Sequence, residues 1–187
     1  MKGFVRECFV TGMVGGFVSL IAAAIGGRTE GGRGQALRPV HAVSHIAWND
    51  APESHRGNEP HNALLGTALH QGACVFWAVF FEALFGRRAK RSTAAALVGG
   101  ATISTAAYVT DYHIVSKRFT PGFEAHLSPR SLFGIYFALA IGLAAAARLR
   151  GLYHHQKENH DERDKSRNAE RGPDRVVAPE ARRQQLA

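Results

Sequence analysis

The chain has 187 residues, of which 45% are hydrophobic, a formal net charge of +8 and two cysteines; with no CxxC pair, a disulfide framework and the common zinc and redox motifs are excluded. A mean hydropathy of −0.14 averages an apolar stretch up to about residue 150 with a polar tail, and so conceals four runs that approach the ~20 apolar residues needed to cross a bilayer core in helix. Clustered Lys and Arg can mark phosphate binding, but here the cations punctuate apolar runs, so the expected partner is a lipid bilayer and not a nucleic acid.

The first run, Cys8 to Gly27, follows Lys2 and Arg6 and carries Gly12, Gly15 and Gly16. Gly12 and Gly16 share one helical face, where a neighbouring backbone can approach closely; packing within the bundle is preferred to homodimerisation. A cleaved signal peptide ending near Ala22 to Ala24 is the competing reading, opposed by Glu7 and by the length of the run. A glycine-rich segment from Gly26 to Gly34 leads to a predicted helix from Pro39 to Trp48, with proline suited to its first position. Val40, Val43 and Ala47 form its apolar stripe, and His41, His45 and Trp48 another face. Indole rings favour the headgroup region, which places this segment at the outer interface.

The second run, Asn62 to Phe85, carries His70 on a face shared with Ala63, Gly66, Ala73, Cys74 and Trp77. At about 1.5 Å per residue His70 lies roughly 12 Å inside the span, a depth at which an ionisable group faces a bundle interior or a wet cavity. Phe76, Trp77, Phe80, Phe81 and Phe85 read as lipid-facing and packing surface, and Glu82 is expected to pair with Arg87 or Arg88. Cys8 and Cys74 differ in depth and are expected as free thiols.

Arg87, Arg88, Lys90 and Arg91 fill the short connection to the third run. By the positive-inside rule that connection is cytoplasmic, and four crossings then put both termini on the same side. Lys2, Arg6, Arg148 and Arg150 agree, although the other two loops also carry cations: Arg28, Arg33, Arg38 and Arg56 in one, Lys117, Arg118 and Arg130 in the other. The third run, Ser92 to Val115, bears Asp111 about 6 Å from its end, on a face with Ser104, Tyr108 and Arg118. Asp111 and His113 lie about 200° apart on a regular helix, so Asp111 is placed inward and His113 at the water boundary unless the helix ends there.

The connection from Ser116 to Arg130 has a Pro121-Gly122 turn and ends on Ser128-Pro129. The fourth run, Ser131 to Leu149, repeats the small-residue device with Gly134, Ala138, Gly142 and alanines to Ala147. Beyond it a charged tail, interrupted by Gly172-Pro173, is expected to be disordered past any helical extension of the fourth span. The expected organisation is a membrane bundle over 1–150 and a cytoplasmic tail over 151–187, with an all-α fold of four transmembrane helices and one outer interfacial helix.

Under this topology His41, His45, His55, His61, Glu124 and His126 gather on the side of His70 and Asp111. Imidazoles and carboxylates suit transition metals, and histidine also titrates near neutral pH. One reading therefore makes His45, His70, Asp111 and His113 ligands of a transition metal or haem, with Cys74 as a further soft donor. A second makes the same groups a proton relay or ion entry site. In a third, purely structural reading, His70 bonds a backbone carbonyl, Ser104 or Thr105, and Asp111 pairs with Arg118, Lys117 or Arg130. No HExxH, CxxCH, phosphate-binding loop or GxSxG elbow is present, so an enzyme is not expected. His154, His155 and His160 belong to the solvated tail.

The segments Pro39 to Trp48, His61 to Trp77 and Asp111 to Glu124 together resemble a group of small uncharacterised bacterial inner-membrane proteins with four predicted spans. The resemblance covers most of 1–150 and implies class and location without site residues. The resulting expectation is a multi-pass inner-membrane protein with a metal-binding or proton-handling site at its outer face. The alternative is a structural or accessory subunit, with a homo-oligomer or a larger membrane complex as partner.

Overall fold

In the computed structural model, which describes residues 2–48 and 59–170, four helices are long and apolar enough to cross a membrane: Lys2–Gly31, Pro60–Leu84, Thr93–Ile114 and Pro129–Asn168. We label the helices α1 (Lys2–Gly31), α2 (Arg38–Ala42), α3 (His45–Trp48), α4 (Glu59–Leu84), α5 (Gly86–Arg91), α6 (Thr93–Val109) and α7 (Pro129–Glu170). The protein is all-α among the described residues, as its composition and apolar runs require.

On α1 small residues pack inward and large ones point outward, while Phe81, Ile135 and Leu143 of α4 and α7 fill the core between the helices. On α1 the buried face is Cys8, Thr11, Gly12, Gly15, Gly16, Ser19, Ala23, Gly26 and Gly27, whereas Phe17 on α1 and Phe133 on α7 are 62% and 72% exposed. That inversion belongs to helices surrounded by lipid, where close backbone approach supplies the association energy that water supplies elsewhere. Gly12 lies against Val75 of α4, and Gly16 against Gln71 and Cys74 of the same helix. Gly15 faces α7: a Cβ on Gly142 would stand 2.7 Å from the Gly15 Cα. Gly100 of α6 meets the Ala140 carbonyl of α7 in the same way. The glycines of α1 thus pack inside the bundle. Gly134, expected to share this role in the fourth span, has nothing near it.

One end of the bundle is tied by charge. The buried Glu82 carboxylate accepts from Arg150 of α7 and from the Thr11 hydroxyl of α1. Arg150 also donates to the Glu7 carbonyl at 2.9 Å, and Lys90 pairs with the Glu7 carboxylate at 2.6 Å. Arg148 reaches the Lys90 carbonyl at 2.8 Å. The expected partners of Glu82, Arg87 and Arg88, are instead exposed on α5. Glu82 sits on the face of α4 turned to α1, where Arg150 arrives from α7.

The other end carries the longer connections. The segment Pro39 to Trp48 is helical, but a turn at Val43–Ser44 divides it into α2 and α3. It packs onto the bundle: the Val40 carbonyl lies against Gly66 of α4, and Val43 joins a core cluster with Ala23, Phe123 and Ile135. Glu30 at the end of α1 accepts from the Ser128 backbone N–H at 2.7 Å and from the Ser128 hydroxyl at 2.6 Å. The Ser131 hydroxyl donates to the same carboxylate. A carboxylate is thereby held at the start of α7, where helix N–H groups lack partners.

The chain divides into two compact units, Met1–Gly151 and Leu152–Ala187. In the second, helix α7 continues to Glu170, so the charged residues from Lys157 to Lys165, which composition assigns to a disordered tail, are helical. Pairs one turn apart accompany this, including His160 Nδ1 to Asp164 at 3.4 Å and the Ser166 hydroxyl to the Glu162 carbonyl at 3.0 Å. Gly172-Pro173 and the remainder of the expected disordered tail lie outside the described residues.

Because Gly12 has no room for a side chain and Gly134 has ample room, the two should respond oppositely to the same change. Gly12→Ala is expected to lower thermal stability in detergent by about 1–3 kcal/mol, the usual cost of overpacking. Gly134→Ala should be neutral or slightly stabilising through helix propensity. Equal behaviour of the two would refute the assigned packing.

Candidate functional site: a capped cavity inside the bundle

His70 is buried on α4 and uses Nε2 toward two partners, the Ser19 hydroxyl of α1 at 2.9 Å and the Cys74 thiol one turn away at 3.5 Å. Ser19 also donates to the Gly16 carbonyl at 3.0 Å. A hydroxyl has one proton to give; when Ser19 gives it to the Gly16 carbonyl, the Ser19 oxygen accepts from Nε2 of His70. The structural partner of His70 is thus Ser19 of the first span, not Ser104 or Thr105 of the third. The Ser104 hydroxyl is engaged by the Tyr136 carbonyl.

Asp111 stands in an irregular stretch. Helix α6 gives way to a single π turn over Thr110–Ile114, closed by the Val115 N–H on the Thr110 carbonyl at 3.0 Å. Such turns add a residue to the helical circuit and occur often at functional sites. Here the turn leaves Asp111 half-buried, accepting a hydrogen bond from the Tyr136 hydroxyl at 2.7 Å. Neither Arg118, Lys117 nor Arg130 pairs with it among the described residues. Tyr112 packs edge-on to Tyr136, while His113 is exposed with its ring against Tyr108.

These two groups line a common cavity of about 250 Å³. Ser19, His70 and Cys74 contribute from α1 and α4, Asp111 and Tyr136 from the π turn and α7, and Trp77, Leu69 and Leu139 supply apolar wall. Val43 and Ile46 from the α2–α3 segment, with Phe119, Pro121 and Phe123 from the connection before α7, complete the lining. The Phe123 ring meets the His70 imidazole edge-on at 5.8 Å.

His45 belongs to the cap and not to the cavity wall. Its Nδ1 donates to the Ala42 carbonyl at 2.6 Å, and its ring lies against Gly122, where an added Cβ would be 3.2 Å away. Gly122 also adopts a positive φ of 79°, a conformation that glycine enters without steric cost. Both constraints explain the Pro121-Gly122 turn: it seats the connection on His45.

The four residues expected to hold a metal are therefore not brought together. His70 and Asp111 share a cavity, His45 is locked into the cap, and His113 faces away. Among the described residues no three His, Cys, Asp or Glu side chains are grouped to hold a metal ion. Glu124 accepts from the Thr120 hydroxyl at 3.1 Å within its own loop, and His55 lies outside the described residues. The cavity is also below the roughly 300–1,000 Å³ of pockets that take drug-sized ligands, which is too small for a haem. Both cysteines are buried free thiols.

Sequence reasoning passed over Ser19 and Tyr136. Ser19 was within reach, since Thr11, Gly15 and Ser19 recur every fourth residue on the inward face of α1. Tyr136 carried a weaker signal: it is a phenol amid apolar residues in the fourth span. No protein-family profile, curated protein or solved structure matches the chain.

Ser19→Ala removes the hydroxyl from Nε2 of His70 and leaves only the weaker Cys74 contact at 3.5 Å. It should cost about 1–3 kcal/mol of stability and shift the His70 ring-nitrogen resonances; unchanged resonances would sink the assignment.

Proposed function

We propose that this protein is a multi-pass protein of the bacterial inner membrane that handles protons at the capped cavity, with His70 and Asp111 as the groups that take up and release them. One observation carries the reading: two ionisable side chains from different spans line a single cavity inside a membrane bundle. Ionisable residues within spans are costly unless they serve a pathway or a structural pair. Neither of these is tied up in an ion pair with Lys or Arg among the described residues.

The chemistry is that of a short relay. Ser19 and Cys74 engage Nε2 of His70 and leave Nδ1 as its second proton-exchanging nitrogen, and the Tyr136 hydroxyl donates to Asp111 a hydrogen bond that is stronger when the acid is ionised. Cys74 and Tyr136 add polar atoms to a mostly apolar lining. Metal binding is the weaker reading, because it needs ligands from outside this set.

The measurement is proton flux into vesicles reconstituted with the purified full-length protein and loaded with a pH dye. A pH gradient should decay faster than in protein-free vesicles, and His70→Ala or Asp111→Asn should slow the decay at least tenfold toward the protein-free rate, as expected for loss of a specific acid or base. Parent flux equal to that of empty vesicles would reject proton handling and favour the accessory-subunit reading.

The orientation follows the cations of α5: Arg87, Arg88 and Arg91 are exposed in the shortest connection, which argues for a cytoplasmic α5 and cytoplasmic termini. In a variant lacking Cys8 and Cys74, a single cysteine placed at Lys117 should react with an impermeant maleimide on intact cells, and one at Arg88 only after lysis. The reverse pattern would invert the topology.

A further inference from the structure

A second concavity, of about 590 Å³, lies between α6 and α7 and is lined by Ala101, Ser104, Thr105 and Tyr108 on one helix and by residues from Pro129 to Ala140 on the other. Its floor is small-residue backbone, and its flank is Phe133 and Phe137, whose rings stack at 6.1 Å and are 72% and 58% exposed. These rings stand out from the bundle as a wall. Along α7 the groove runs from Pro129 to Ala140, or about 16 Å at the helical rise. One leaflet of a bilayer has about 15 Å of hydrocarbon. The groove therefore matches the depth of a single acyl chain.

The charge at its end is mostly positive: Glu30, held at the start of α7, and the exposed Glu124 are the acidic groups there, against Arg130, Lys117 and Arg118. Arg130, in the first turn of α7, shares a face with Phe133 and Phe137 at helical spacings of three and seven. It is exposed and forms no ion pair among the described residues. Lys117 and Arg118 follow the end of α6 and are also exposed. No carboxylate lines the groove, and the Glu30 carboxylate on the neighbouring helix is engaged by Ser128 and Ser131. Cations at a membrane boundary above an apolar slot complement a lipid phosphate above its chain.

We propose that the α6–α7 groove seats one acyl chain of an anionic phospholipid whose phosphate is held by Arg130 and the cations that follow α6. The assignment depends on the membrane-spanning architecture and is independent of proton handling in the cavity.

Native mass spectrometry of the full-length protein in detergent tests it, with phosphatidylglycerol or phosphatidylcholine of matched chains as the probe. Phosphatidylglycerol should be retained in preference, and Arg130→Gln should reduce its retention about five-fold, the weight of one cation at an anionic surface, leaving phosphatidylcholine unchanged. Ala101→Phe, which fills the slot, should reduce both lipids. Equal retention of the two lipids, or an unchanged Arg130→Gln protein, would overturn the proposal. So would a lipid-free dimer that Ala101→Phe dissociates, since a second copy would then occupy the groove. Should Ala101→Phe fail to give a monodisperse helical protein, the exposed Arg130→Gln substitution decides alone.

Discussion

The structure depends on how closely α1 can approach its neighbours. Within lipid there is no hydrophobic gain from pressing one apolar helix on another, and association rests on packing and a few buried polar links. Gly12 and Gly16 bring α1 onto α4, and Gly15, one residue from Gly16, brings the same helix onto Gly142 of α7. That closeness lets Ser19 reach His70 across the α1–α4 interface and lets Thr11 reach Glu82 a few turns away. A bulkier α1 would separate both pairs at once.

Polar links then fix the two ends differently. At the α5 end, Glu82, Arg150, Glu7 and Lys90 join α1, α4, α5 and α7 through direct ionic contacts. A buried ion pair is costly to form and more costly to break, since removing one partner leaves an uncompensated charge. At the opposite end the links are softer: a carboxylate at a helix start, an imidazole on a carbonyl, and a glycine turn. The candidate site lies beneath this second group, under short helical segments whose backbone hydrogen bonds are local turns. Such a cap can open at lower cost than the bundle.

Much of this was legible in the sequence, and the reasons are local. Helix spans follow from runs of apolar residues; helical angles set Asp111 and His113 on opposite faces, and the cost of a carboxylate against hydrocarbon selects Asp111 as the inward one, an arrangement the π turn at Thr110–Ile114 keeps. The packing role of Gly12 and Gly16 follows from their spacing. What was not legible involves partners far apart in the chain. Glu82 was matched to Arg87 and Arg88 because they are near in sequence, whereas its partner is 68 residues away on α7. His70 was matched to the third span although the glycines of the first bring Ser19 closer. Histidine count suggested convergence, but His45 is consumed by the cap and His113 by position. The helical extension of the fourth span was expected but its length was not, because a tail of that composition lacks an apolar stripe, while a continuing helix needs only a preceding turn to extend.

Tyr136 belongs to both concavities: its ring walls the outer groove, and its hydroxyl holds Asp111 inside the cavity. The outer groove and the inner cavity are thus adjoining spaces with one aromatic side chain in common. The ring is buried and packed edge-on against Tyr108 and Tyr112, so one side chain is built into both the groove wall and the cavity wall.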